Sequence, residues 1–86
     1  LYYAAEKGFV DVAEILLTHK ANVNIVLTDG ATPLWIAVYY GHQEVVELLL
    51  KNGANPNLVR NTDGVSPLNI ATQRRHNHIR DRLLIY

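Results

Sequence analysis

The fold is decided by the stretch Asp29-Gly30-Ala31-Thr32-Pro33-Leu34-Trp35-Ile36-Ala37, which returns as Asp63-Gly64-Val65-Ser66-Pro67-Leu68-Asn69-Ile70-Ala71. A second set of residues recurs upstream after 33 residues: Ala4, Gly8, Val12, Leu16 and Asn22 return as Ala37, Gly41, Val45, Leu49 and Asn55. Self-similarity at this period is typical of stacked small units rather than of a globule with one active-site cleft. The 86 residues therefore hold three copies of one unit, and the first copy is cut short.

Each copy predicts two short helices. Thr32 and Ser66 stand directly before proline, and a hydroxyl N-cap followed by proline at the first helical position marks a helix start. The first helix of the middle copy is expected to end before Gly41. A second helix is predicted over residues 44–50, with apolar side chains on one face and glutamates on the other. Gly53 then supplies the left-handed residue that commonly ends a helix.

The segments between the helix pairs, such as residues 54–65, hold the Asn, Pro, Asp and Gly residues of turns and hairpins. The order Asp-Gly-x-Thr-Pro-Leu, helix, Gly-His, helix, Leu-Leu-Leu-Lys-x-Gly-Ala-Asn-x-Asn closely resembles the ankyrin repeat across essentially the whole chain. Tetratricopeptide repeats have nearly the same length but lack the Asp-Gly turn that leads into a Thr-Pro cap. The resemblance implies an all-α repeat solenoid, in which stacked helix–turn–helix units are joined by β-hairpin-like loops. Its units are predicted at 1–24 (truncated), 25–57 and 58–86 (cap-like).

Some positions depart from the family pattern. Where the family usually has His after Thr-Pro-Leu, this chain has Tyr2, Trp35 and Asn69. We therefore expect the hydrogen bond of that His to be lost, and Trp35 to substitute apolar packing beneath the hairpins. The connection from residue 57 to 64 is one residue longer than that from 24 to 30. The second hairpin tip is expected to bulge or to be rebuilt around Arg60, Asn61 and Thr62.

The two ends of the chain differ in kind. Arg80 and Arg82 take the places of apolar Val46 and Leu48, which predicts a polar outer face of the sort a terminal repeat needs. The first copy starts without a hairpin or a Thr-Pro cap, and it is expected to expose Leu1, Tyr2 and Tyr3. The pattern predicts the C-terminal part of a longer array, with upstream repeats of the same chain as neighbours.

Composition excludes several classes of protein. The chain is 49% apolar with a formal net charge of zero, so it is neither disordered nor a general polyanion binder. No apolar run approaches membrane-spanning length, and nothing resembles a cleavable signal, so membrane insertion is not expected. The sequence has no cysteine and no Asn-x-Ser/Thr acceptor. These features predict an intracellular protein, cytoplasmic or nuclear.

Residues that could carry chemistry are few. Two imidazoles two positions apart point to different faces of a helix, so His76 and His78 are interpreted as exposed polar residues at a helix start. Glu44 and Glu47 lie on a solvated face, and Lys51, four residues after Glu47, predicts one helical ion pair. No nucleophile triad, phosphate-binding glycine loop or metal-ligand cluster rises above chance. The chain is predicted to be non-enzymatic, with no cofactor, metal or small-molecule substrate.

The basic residues of the last copy raise nucleic acid as a partner. These residues are Arg74, Arg75, Arg80 and Arg82. The zero net charge, and the lack of aromatic residues between the arginines, argue against nucleic acid. Capping of the stack explains the cluster better, and an acidic protein partner is compatible with the same residues.

The resemblance implies a protein-binding concave face formed by hairpin tips and first helices. In the family, binding residues fall around the Asp-Gly turn and in the two positions before the inter-helix Gly. In this sequence those positions are Glu6, Lys7, Thr28, Asp29, Ala31, Tyr39, Tyr40, Asp63, Val65, Gln73 and Arg74. Tyr39 and Tyr40 are the favoured pair, because tyrosine buries much area at little entropic cost. The alternative is that one of them packs on the neighbouring repeat.

These observations predict a module for protein–protein interaction. Two alternatives stay open. The repeats could only space or cap another domain, or they could be a regulatory segment of an enzyme whose catalytic domain lies elsewhere.

Overall fold

The computed structural model describes residues 1–86 and contains six helices and no named strand. They are α1 (Tyr2–Lys7), α2 (Val10–Thr18), α3 (Pro33–Tyr39), α4 (Gln43–Lys51), α5 (Pro67–Gln73) and α6 (Asn77–Ile85). We call the pairs α1–α2, α3–α4 and α5–α6 repeats 1, 2 and 3. The all-α helix-pair architecture is confirmed. No helix is both long and apolar enough to pass through a membrane.

The helices form two layers. The first helices α1, α3 and α5 contact one another in order, and the second helices α2, α4 and α6 do the same. The core is centred on repeat 2, because this repeat alone is covered on both sides. Its buried apolar residues include Leu34, Trp35, Val45, Leu49 and Leu50.

Short polar side chains cap the N-terminal ends of α3 and α5. The Thr32 hydroxyl oxygen accepts a hydrogen bond from the Trp35 amide at 3.1 Å. The Ser66 hydroxyl oxygen accepts one from the Asn69 amide at 3.0 Å. In both helices proline follows the cap. The predicted Thr-Pro and Ser-Pro helix starts are confirmed.

The inter-helix turns lock one repeat onto the next through a histidine. The His42 Nε2 lies 2.8 Å from the Glu6 carbonyl oxygen, and the His76 Nε2 lies 3.2 Å from the Tyr39 carbonyl oxygen. Since a carbonyl only accepts, Nε2 carries the proton in both contacts. The interpretation of His76 as merely an exposed residue is therefore wrong, because stacking of α5–α6 on α3–α4 half-buries its ring; His78 is exposed.

The same contact explains where glycine is required. Gly8 and Gly41 have φ of 76° and 74°, and a Cβ on either would lie 2.6 Å or 2.8 Å from a histidine ring atom of the next repeat. Arg75 holds the corresponding place in repeat 3 with φ of 59°. Its side chain is exposed. A side chain is accommodated there because no such ring lies against it.

The two hairpins differ as expected. In the first, the Leu27 amide bonds the Ala31 carbonyl oxygen at 3.0 Å; in the second, the Arg60 amide bonds the Val65 carbonyl oxygen at 2.9 Å. The second turn therefore encloses one more residue. The Asn61 amide donates to the Asp29 carbonyl oxygen at 2.7 Å, which ties the two tips together.

Two predictions about charged residues are wrong. Glu47 does not pair with Lys51 but with Arg82, whose Nε donates to the Glu47 Oε2 at 2.7 Å. The cause is the stacking of α6 beside α4, which brings the planar guanidinium of the next repeat to the carboxylate. This hydrogen bond raises the pKa of Arg82 above its ordinary value. Arg82 thus joins repeat 3 to repeat 2 instead of facing outward, while Arg80 pairs with Asp81 at 3.1 Å.

Candidate partner-binding surface

Trp35 and Tyr2 hold the hairpins from equivalent places in the first helices. The Trp35 indole Nε1 donates to the Val65 carbonyl oxygen at 2.9 Å. One repeat earlier, the Tyr2 hydroxyl lies 2.7 Å from the Ala31 carbonyl oxygen and 2.8 Å from that of Ile25. The expectation that this position only packs, without a hydrogen bond, is wrong, because both rings carry a polar hydrogen at the tip that reaches the next hairpin. Tyr2 is also partly buried rather than exposed.

The contact of Tyr2 predicts a pH effect on stability. Burial, and then the charge of Asp29, raise the pKa of Tyr2 above its usual 10.0. The folded state therefore holds the proton more tightly than the unfolded state, so this contribution is present below pH about 10 and is lost as pH rises through the raised pKa. We expect Tyr2→Phe to lower the free energy of unfolding by about 1 kcal/mol near neutral pH.

This deficit is expected to vanish in alkaline solution. Urea unfolding of both proteins, at neutral pH and again above the raised pKa, measures it directly. The other tyrosines and lysines titrate in both proteins, so the difference between them isolates Tyr2. An unchanged gap across this pH range would contradict the assigned contact.

A stacked aromatic pair lies beneath the second hairpin. The Trp35 and Tyr39 rings are 5.5 Å apart and inclined by only 16°. The Arg60 guanidinium lies 4.1 Å from the Trp35 ring centre, and the Arg74 guanidinium lies 4.1 Å from that of Tyr39. We call these four residues the aromatic column. It connects α3 to the second hairpin and to the end of α5.

Tyr39 and Tyr40 take different environments. Tyr39 is partly buried within the aromatic column, where it meets Arg74 of the next repeat. The Tyr40 side chain is 47% exposed. Its ring stands edge-on to Tyr39 at 4.9 Å and lies nearly parallel to the His42 ring at 6.4 Å. Tyr40 is therefore the member of the favoured pair that offers an aromatic face to solvent, and Tyr39 supports it.

Of the three predicted binding positions on the first hairpin tip, one is exposed, one is hydrogen-bonded within the hairpin and one is buried. Thr28 is exposed. Asp29 is partly buried, and its Oδ1 accepts from the Ala31 amide at 3.0 Å. Ala31 is only 1% exposed, so its side chain has no surface to offer.

The two predicted binding positions on the second hairpin tip already have partners within the chain. Asp63 is exposed, but its carboxylate forms an ion pair with Arg60 at 2.5 Å. The hydrogen bond from Arg60 lowers the pKa of Asp63 below its ordinary value. Val65 is partly buried, and its carbonyl is already bound by Trp35.

Most of the other predicted binding residues that are exposed lie just before the inter-helix turns. Lys7, Gln73 and Arg74 are exposed, whereas Glu6 is partly buried. The Lys7 amine lies 5.9 Å from the Tyr3 ring centre. The structure brings Tyr40 and Arg74 together through Tyr39, which both of them contact.

Sequence reasoning missed the role of Arg60. It placed Arg60 only at a rebuilt hairpin tip, not on the Trp35 ring. The spacing of Trp35 and Tyr39, four residues apart on one helix, was a usable signal for the ring pair. No pattern along the chain links Arg60 to Trp35, because that contact depends on how the hairpin folds back over α3.

No group of three or more His, Asp or Glu side chains lies close enough together to hold a metal ion. The largest surface groove is open to solvent and runs beside α4, where Glu44, Glu47 and Lys51 line it.

The family is settled by comparison with known proteins. A family model of ankyrin repeats matches residues 1–86, in three copies. The chain belongs to the ankyrin-repeat family. Ankyrin repeats are in general non-catalytic modules for protein–protein interaction. The resemblance seen in the Asp-Gly-x-Thr-Pro-Leu pattern is therefore confirmed, while the boundaries set at 1–24, 25–57 and 58–86 stay a prediction.

Ankyrin repeats similar to this chain occur in much longer proteins. It is 39% identical to human transient receptor potential cation channel subfamily A member 1 over 98% of its own length. It is 43% identical over 67% of its length to human BCL-6 corepressor-like protein 1, and 40% identical over 83% to human 2-5A-dependent ribonuclease. The matched parts are 8%, 3% and 10% of these relatives.

Proposed function

We propose that this ankyrin-repeat chain binds a protein partner, a folded domain or an extended peptide, on the concave face around Tyr40. Thr28, Gln73 and Arg74 are the exposed side chains that extend this surface. The proposal includes no catalytic step, no cofactor and no small-molecule substrate, and it places the protein inside the cell.

The main support for the proposal is that Tyr40 exposes an aromatic ring beside a neighbouring ring, Tyr39, that is held in place. Its ring is half exposed, yet the neighbouring Tyr39 is fixed by stacking on Trp35 and by the Arg74 guanidinium. An exposed aromatic ring on a rigid support loses little conformational entropy when a partner covers it. Tyrosines of this kind are enriched among the few residues that carry most of the binding energy of an interface.

Some predicted positions take a supporting role in the proposal. Ala31 is left out because it is buried, and Asp29 and Val65 are engaged in hairpin contacts. The backbone carbonyl oxygen of Glu6 accepts a hydrogen bond from the His42 Nε2. Tyr39 positions Tyr40 and Arg74 rather than meeting the partner with its full ring.

Replacing Tyr40 by alanine tests the proposal. We expect the affinity for the partner to fall at least about tenfold, since loss of a hot-spot aromatic side chain costs about 2 kcal/mol or more. The measurement is affinity capture from cell extract with the intact protein, followed by quantification of the co-purified protein. Tyr3→Ala is the matched control, because Tyr3 is a 64% exposed tyrosine outside the proposed surface. Equal capture by both variants would contradict the proposal.

A second candidate, packing on an upstream repeat, has its own observation. Val12 of α2 is 45% exposed, whereas its counterparts Val45 and Ile79 are 0% and 3% exposed because a preceding repeat covers them. If the repeats only space or cap the stack, the segment that they contact is an upstream repeat. We then expect Val12→Asp to lose binding to that repeat and Tyr40→Ala to keep it.

A further inference from the structure

The five arginines of the chain divide by their partners. Arg60 pairs with Asp63, Arg80 with Asp81, and Arg82 with Glu47. The remaining two, Arg74 and Arg75, form no ion pair and are exposed.

Arg74 and Arg75 are held differently. The Arg74 guanidinium is stacked on the Tyr39 ring, 4.1 Å from its centre, whereas Arg75 contacts no aromatic ring. Stacking on an aromatic face leaves the edge of the guanidinium, with its N–H donors, free to bind an anion. It also reduces the entropy that the side chain would lose when it binds. Arg74 is thus an ordered donor group without an acceptor.

Arg60 shows what a guanidinium held in this way binds. It lies 4.1 Å from the Trp35 ring centre, and in addition it forms an ion pair of 2.5 Å with the Asp63 carboxylate. Trp35 and Tyr39 are stacked on each other, so the two arginines sit on one aromatic pair. Of these two, only Arg60 has a carboxylate supplied by the chain itself.

We propose that Arg74 binds an acidic side chain of an extended peptide segment in the partner, which lies across Tyr40. This rests on the proposed concave-face function and adds the charge of the ligand. The carboxylate meets the planar fork of Arg74 as Asp63 meets Arg60, while Tyr40 packs against the neighbouring peptide residues. A nucleic acid is a poorer occupant, because a chain of zero formal net charge lacks the excess of cationic groups that binding to many phosphates requires.

The test uses a phage-displayed library of random peptides selected on the purified protein. We expect the enriched peptides to share an Asp or Glu at a fixed position. For a synthetic peptide from this set, Arg74→Ala should weaken binding about tenfold, and Arg74→Lys should weaken it several-fold because lysine lacks the planar fork. Arg75→Ala is the matched control and should change affinity less than about twofold.

Each other outcome overturns the inference. Enriched peptides that lack acidic residues but depend on Tyr40 would refute the role of Arg74 and leave the binding face standing. Equal losses from Arg74→Ala and Arg75→Ala would show unspecific charge attraction instead of a held donor. A phosphoserine peptide that binds where its Asp and Glu versions do not would reject a carboxylate ligand. A library with no binder at all would contradict the inference of an extended acidic peptide, whereas the proposed face is tested separately by Tyr40→Ala in the capture experiment.

Discussion

Replacing Trp35 by alanine is expected to lower the free energy of unfolding by about 3–5 kcal/mol. The indole is 2% exposed, it belongs to the core, and it bonds the Val65 carbonyl of the next repeat. Its removal leaves a cavity, takes one of two hydrogen bonds from the Val65 carbonyl oxygen, and leaves Tyr39 and Arg60 without their stacking partner. A chain of 86 residues is expected to have a total stability of roughly 4–13 kcal/mol, so this loss is a large fraction of it.

Urea unfolding followed by circular dichroism measures this loss, since Trp35 is the only tryptophan and its fluorescence disappears with it. Trp35→Phe is the matched variant, which keeps a ring in the core and removes the N–H. It is expected to cost less than the alanine variant, on the order of 1–3 kcal/mol. If Trp35→Ala costs under about 1 kcal/mol, Trp35 does not join repeats 2 and 3 as described.

Gly41→Ala is expected to lower the free energy of unfolding by about 2–4 kcal/mol. Part of this cost is the left-handed backbone, with φ of 74°. The rest comes from the His76 ring, which the new Cβ would approach to 2.8 Å. The ring would have to move, and its contact with the Tyr39 carbonyl oxygen would be lost.

Gly53→Ala separates the two parts of that cost. Gly53 has φ of 89°, but nothing lies within 4 Å of the place its Cβ would take. We expect a loss of about 1 kcal/mol from the backbone alone. Lys20, at the same place in repeat 1 with φ of 67°, shows that a side chain is accommodated there. Equal urea midpoints for Gly41→Ala and Gly53→Ala would show that the His76 ring is not what requires glycine at position 41.

Much of the fold could be predicted because its signals are local. The caps at Thr32 and Ser66, the left-handed residue at Gly53 and the longer second hairpin each depend on a few neighbouring residues. Their recurrence gave the phase of the stack. The family model of ankyrin repeats over the whole chain confirms that interpretation.

The missed contacts that join the repeats cross from one repeat to the next. Glu47 pairs with Arg82, 35 residues further on, in preference to Lys51 on its own helix. The bond from Trp35 to Val65 has the same character. Such pairs depend on the distance and rotation between stacked repeats, which helical periodicity within one repeat does not determine.

The candidate surface was predicted as a row of positions, and its members were not distinguished. Tyr39 and Tyr40 looked equivalent along the chain, yet stacking on Trp35 half-buries the first and leaves the second exposed. Ala31 looked available, yet only 1% of its surface is exposed. Which side chains are free depends on where the hairpins fold over the first helices.

Nuclear magnetic resonance shows residue by residue whether the face around Tyr40 binds the partner. The captured partner is titrated into isotope-labelled protein, and the backbone amide resonances are followed. We expect the shifted resonances to cluster at Thr28, Tyr40, Gln73 and Arg74. Shifts confined to α2, α4 and α6, with these four amides unchanged, would contradict this expectation.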